Sequence, residues 1–123
     1  MWSRFFPLGS SCLSVKRVVS REVDSGEAQV QRLSVRYSGR VQGVGFRATV
    51  DDLARNFQVT GRVSNVLDGS VDLQADGEEP ELIAFQRAIQ QRLQRNIVDS
   101  QEHWRSIDRG EWSSFGVGPD LLR

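Results

Sequence analysis

Two polar residues, Arg47 and Asn65, have the side chains and the setting for phosphoryl chemistry. Arg47 closes the run Gly39-Arg40-Val41-Gln42-Gly43-Val44-Gly45-Phe46-Arg47. Its planar guanidinium offers donors in a fork that matches two phosphate oxygens. Gly43 and Gly45 lack side chains, so they adopt positive φ readily and let an anion approach the backbone. The amides from Gly43 to Arg47 then converge at the start of a helix, where the dipole is also positive. The run reads as a phosphate cradle, although strand-to-helix turns with glycines also serve packing alone. Asn65 follows a second apolar run, and its carboxamide can both donate to and accept from one water. From spacing alone it reads first as a cap of the Asp68-Gly69 turn that follows. Phosphoryl transfer asks mainly for positioning and charge stabilisation, so amides, one arginine and an oriented water suffice.

Other chemistries are poorly provided for. Cys12 is the only cysteine, which excludes an intrachain disulfide and a cysteine metal site. His103 is the only histidine, which excludes a two-histidine metal site. Sixteen basic and sixteen acidic residues cancel, so no net field favours nucleic acid or a membrane surface. Charge is uneven, however: Arg32, Arg36, Arg40, Arg47, Arg55 and Arg62 face only Asp51 and Asp52 between Gln31 and Val66. A basic half of this kind suits a small anionic substrate. No cofactor is expected, and the setting is expected to be reducing and cytoplasmic.

The elements that must hold these residues follow from periodicity. Leu33, Val35 and Tyr37 alternate with Ser34, Arg36 and Ser38, predicting a strand over 31–38. Phe46, Val50, Leu53, Ala54 and Phe57 form one helical face, predicting a helix over 46–56. A strand over 58–66, the Asp68-Gly69 hairpin and a strand over 71–75 come next. Pro80 and the surrounding acids start a second helix with an apolar stripe of Leu82, Phe85, Ile89 and Leu93. A polar strand over 97–107 is expected at a sheet edge, and a short strand at 115–117 closes the order. Trp104 and Trp112 are expected to pack on the sheet. The order β-α-β-β-α-β is the split βαβ arrangement: an α+β, ferredoxin-like sandwich with two helices on one face of an antiparallel sheet.

Residues 1–28 are expected to be a disordered extension, and 29–123 the domain. Pro7, Gly9, Ser10 and Ser11 break up Phe5, Phe6, Leu8 and Leu13, so neither a signal peptide nor a membrane span is expected.

The glycine run resembles the first signature of the acylphosphatase family. Gly61-Arg62-Val63-Ser64-Asn65, followed by Gly69, Val71 and Gly77, resembles the second. The resemblance spans roughly 31–117 and implies a metal-independent hydrolase that cleaves acyl phosphates to carboxylate and inorganic phosphate. It implies that the amides of Gln42, Gly43, Val44, Gly45 and Phe46 cradle the phosphate, that Arg47 binds it, and that Asn65 orients the attacking water. The expected partner is a small acyl phosphate, not nucleic acid or membrane, and the chain is expected to be a monomer. Tyr37, Arg62 and Ser64 depart from the family's usual residues. Arg62 is expected either to add positive potential near the site or to point to solvent.

Two other functions fit the same element order. One is a non-catalytic anion-binding or regulatory domain of the same type, against which both Arg47 and Asn65 argue. The other is an RNA-binding module, which needs exposed aromatics on its strands where this chain has Asp72, Gln74 and Asp76.

Overall fold

The computed structural model describes residues 16–21 and 30–122. Its elements are β1 (Lys16–Arg21), β2 (Val30–Gly39), α1 (Phe46–Ala54), β3 (Val59–Asn65), β4 (Val71–Gly77), α2 (Glu79–Leu93), β5 (Ile97–Ile107) and β6 (Phe115–Val117). The strands form one sheet in the order β1-β5-β2-β4-β3-β6.

The central ladder is antiparallel: β5 with β2, β2 with β4, and β4 with β3. The two outer strands join in parallel, β1 on β5 and β6 on β3, so the whole sheet is mixed. β2 and β3 therefore run in the same direction with β4 between them, and α1 is the crossover that connects their edges. That topology brings the ends of β2 and β3 and the start of α1 to one rim of the sheet.

Strand alternation decides which side chains meet the helices. Leu33, Val35 and Tyr37 of β2 and Val71, Leu73 and Ala75 of β4 are fully covered, as is Val63 of β3. Phe46, Val50 and Ala54 of α1 and Leu82, Phe85 and Ile89 of α2 close over them. α1 is shorter than its apolar pattern suggests. After Ala54 the amides of Arg55, Asn56 and Phe57 turn back to the carbonyls of Asp52, Leu53 and Ala54, and Phe57 packs on the core from that tight turn. α2 begins with Pro80 in its first turn beside Glu79 and Glu81, and Arg92 lies in its last turn, as the helix dipole favours.

The opposite face of the sheet is polar but not open throughout. The Arg32 guanidinium grips Asp76 with Nε donating to Oδ1 at 2.7 Å and Nη2 donating to Oδ2 at 3.0 Å. Trp112 covers that guanidinium at 5.0 Å from its ring centroid, and the Glu111 amide donates to the same carboxylate. The Asp76 hydrogen bonds hold Arg32 above its ordinary pKa against the cost of burial. Trp104 lies in the core on the helix side, so the two tryptophans pack on opposite faces.

Two expectations need correction. β5 is not an edge strand, because β1 pairs along it from Lys16 opposite Asp99 to Arg21 opposite Trp104. Its polar composition comes from the outward residues Gln101, His103 and Arg105, while Ser100, Glu102 and Trp104 are buried. Likewise Lys16–Arg21, within the segment expected to be disordered, forms β1; the remainder of 1–28 lies outside the described residues apart from this strand. Among the described residues the core cluster begins at Leu33. A chain beginning at Gln29 is therefore expected to melt cooperatively, at a lower Tm than the full chain because β5 loses its outer partner. Broad, non-cooperative unfolding in calorimetry would show instead that β1 belongs to the folding unit.

Candidate functional site

The glycine turn before α1 is a product of backbone conformation. Gly43 and Gly45 have φ of 77° and 81°, the left-handed region that other residues enter only with strain. Gly45 is the N-cap of α1, with no side-chain cap and no acidic residue in the first turn. The amides of Phe46, Arg47 and Ala48 thus stand at the helix start without intrahelical acceptors. An ideal Cβ on Gly43 or Gly45 would meet nothing within 4 Å, so both glycines face open space. Beneath the loop, Tyr37 and Phe46 pack with ring centroids 5.3 Å apart and support it from the core.

Gly43, Gly45, Phe46, Arg47, Ala48 and Asn65 line one cleft of about 260 Å³, together with Val41 and Val117. The side chain of Arg47 is about one-third exposed and lies 3.6 Å from Asp120, whose carboxylate is largely in solvent. Such an exposed pair contributes little, so the guanidinium can exchange Asp120 for a phosphate. Asn65 is the last residue of β3 and shares the core-facing side of the strand with Val63, one step beyond the packed interior. Its Oδ1 is buried without a hydrogen-bond partner among the described residues. An acceptor left in that state is costly, and a water or a ligand donor would relieve it.

Sequence and structure coincide unevenly here. The cleft unites Arg47, Gly43, Gly45, Phe46 and Asn65. Val44 does not line it, and its side chain is exposed. The Gln42 side chain turns away from the cradle and donates from Nε2 to the carbonyls of Val66 at 2.7 Å and Ser70 at 2.8 Å. Arg62 neither faces the cleft nor points freely to solvent. Its Nη1 donates to the carbonyls of Gly61 and Ser114, fastening the segment before β6 to β3. Ser64 is buried against Gly118, where an added Cβ would sit 2.5 Å from its Oγ, so the close approach suits a small residue on each segment.

Two residues that line the cleft, Ala48 and Val117, and Asp120, which pairs with Arg47 beside it, were not expected at the site from the sequence. Ala48 could have been found by extending the helix-start amides by one position. Val117 and Asp120 could not, because they reach the site only through strand pairing. The Gly118 amide donates to Val63, and the Leu121 amide donates to Asn65, carrying the C-terminal segment along the outer edge of β3.

The profile of the family described as Acylphosphatase matches residues 33–117, a span that contains both signatures and the cleft. The chain belongs to the acylphosphatase family. It is 36% identical over 91 residues to an acylphosphatase of Methanospirillum hungatei, covering 74% of this chain and all of that one. The acylphosphatase of Bacillus subtilis superposes on 76% of this chain and 99% of its own, with a TM-score of 0.58 and 26% identity. Full-length HypF, in a phosphate- and nucleotide-bound form, matches 80% of this chain with a TM-score of 0.61 and 27% identity. Only 13% of that longer protein is involved, so this chain corresponds to a small part of it. As in the acylphosphatases it resembles, two helices lie on one face of the sheet. Among the described residues no helix is long and apolar enough to cross a membrane.

Proposed function

We propose that this chain hydrolyses acyl phosphates to a carboxylate and inorganic phosphate, with Arg47 and the cleft amides holding the phosphoryl group and Asn65 placing the attacking water. The observation that carries this reading is the Oδ1 of Asn65, buried without a partner among the described residues, in the same cleft as Arg47 and the start of α1. In the reaction the water oxygen bonds to phosphorus as the bond from phosphorus to the acyl oxygen breaks. The electron pair of that bond leaves with the carboxylate. Among the described residues no carboxylate, imidazole or thiol lines the cleft, and the nearby Asp120 lies against Arg47, so the proton of water passes to a phosphoryl oxygen and departs with the product.

So sparse a site suits this substrate because a carboxylate is a good leaving group and needs no strong general acid. Catalysis rests on position and on donors aimed at the charge that grows on the phosphoryl oxygens. Two measurements test the reading together. Purified protein should release phosphate from benzoyl phosphate at the same rate with excess chelator present, and inorganic phosphate should inhibit competitively. Loss of activity with chelator and recovery with a divalent metal would refute a site built from amides, Arg47 and Asn65 alone. Uncompetitive inhibition by phosphate would show that the cradle does not take that group.

A further inference from the structure

We propose that Gln42 is a positioning residue that fixes the distance between the two walls of the cleft. One wall is the loop from Gly43 to Arg47, which Gln42 immediately precedes. The other is the end of β3, where Asn65 is followed by Val66 and the hairpin. A single carboxamide joins them: Gln42 Nε2 donates to Val66 O at 2.7 Å and to Ser70 O at 2.8 Å, across the start of β4.

The hairpin does not depend on these bonds to close. The Val66 carbonyl also accepts from the Gly69 amide, and the Ser70 carbonyl also accepts from the Val66 amide, both at 2.9 Å. Asp68 Oδ1 further holds the Ser70 amide and hydroxyl. What Gln42 adds is the link between hairpin and cradle. Without it the two walls stay joined through β4, where Tyr37 and Asn65 both pair with Val71, but the direct tie that sets the distance from the start of the loop to the hairpin beside Asn65 is lost. This inference rests on the proposed water-orienting role of Asn65, because only then does that distance control the reaction.

The test is a cycle of Gln42→Met, Asn65→Ala and the double variant, with benzoyl phosphate as substrate and inorganic phosphate as inhibitor. Methionine keeps the length of glutamine and removes both donors. Gln42→Met is expected to lower kcat by about 10-fold or more, since small displacements of reacting groups are costly. The phosphate inhibition constant should change by less than about 2-fold, and in the Asn65→Ala background the same substitution should cost less than about 2-fold in kcat. Losses that multiply fully would overturn the proposal, as would a loss of phosphate binding equal to the loss of turnover. If Asn65→Ala alone leaves turnover unchanged, the water-orienting role fails and this inference falls with it. If Asn65→Ala is impaired and Gln42→Met is not, this inference alone is wrong. A second arm uses the unaltered protein. Both Gln42 side-chain amide protons should exchange with solvent more slowly than those of exposed Gln91. Equal exchange rates would show that the link is not maintained in solution.

Discussion

Arg47→Ala is expected to weaken inorganic phosphate inhibition and to lower kcat/KM for an acyl phosphate together, the latter by about 10³-fold, as for loss of a donor aimed at transition-state charge. The direction follows from where Arg47 sits. It is in the first turn of α1, beside the amides of Phe46 and Ala48, in the cleft that Asn65 shares. Its one ion pair among the described residues is the 3.6 Å contact to exposed Asp120, so removing the guanidinium leaves no buried charge unpaired and should leave the fold intact. Arg47→Lys should restore little. An ammonium keeps the charge but not the two parallel donors that grip a phosphate. Steady-state kinetics with phosphate as inhibitor, beside a thermal melt, is the measurement. Normal phosphate inhibition in Arg47→Ala would remove Arg47 from the cradle.

Asn65→Ala should separate binding from turnover. Phosphate inhibition should stay close to that of the unaltered protein, while kcat falls by about 10²-fold if placing the water matters as positioning does elsewhere. Stability should suffer little, because the substitution removes a buried acceptor that has no partner to lose among the described residues. The backbone of Asn65 keeps its place through the Leu121 amide and its register opposite Val71. Unfolding of Asn65→Ala, or equal losses in phosphate affinity and turnover, would return Asn65 to a purely structural role in the hairpin.

The elements around the cleft were readable because each is set by a local period. Alternation from Leu33 to Tyr37 and from Val71 to Ala75 identifies the two central strands, and both bury that face completely. The stripe of Phe46, Val50 and Ala54 places a helix directly after the glycines, and positive φ at Gly43 and Gly45 is what their lack of a side chain permits. From those features alone one obtains a strand, a left-handed turn and a helix start with free amides. The second signature likewise puts Asn65 at the end of a strand. These are properties of short stretches, in which backbone geometry and burial of one face leave few alternatives.

Partnership was not readable in the same way. Nothing in Lys16–Arg21 announces a strand, because its pairing partner lies about 80 residues further on and a lone outer strand carries no strong pattern. The polar run of β5 looked like an edge until β1 covered it. Arg62 looked available to the site or to solvent, yet one of the two carbonyls that hold it, that of Ser114, is supplied by a distant segment. The sequence by itself determined the repeated faces, the glycine turn and the positions of Arg47 and Asn65 along the chain. Tertiary structure alone decided that both residues share one cleft, that Val117 lines it, that Asp120 pairs with Arg47, and that the Gln42 carboxamide spans its two walls. The physical reason is that a period constrains neighbours a few residues apart, whereas register, crossover and side-chain donors between distant segments depend on how the whole sheet is assembled.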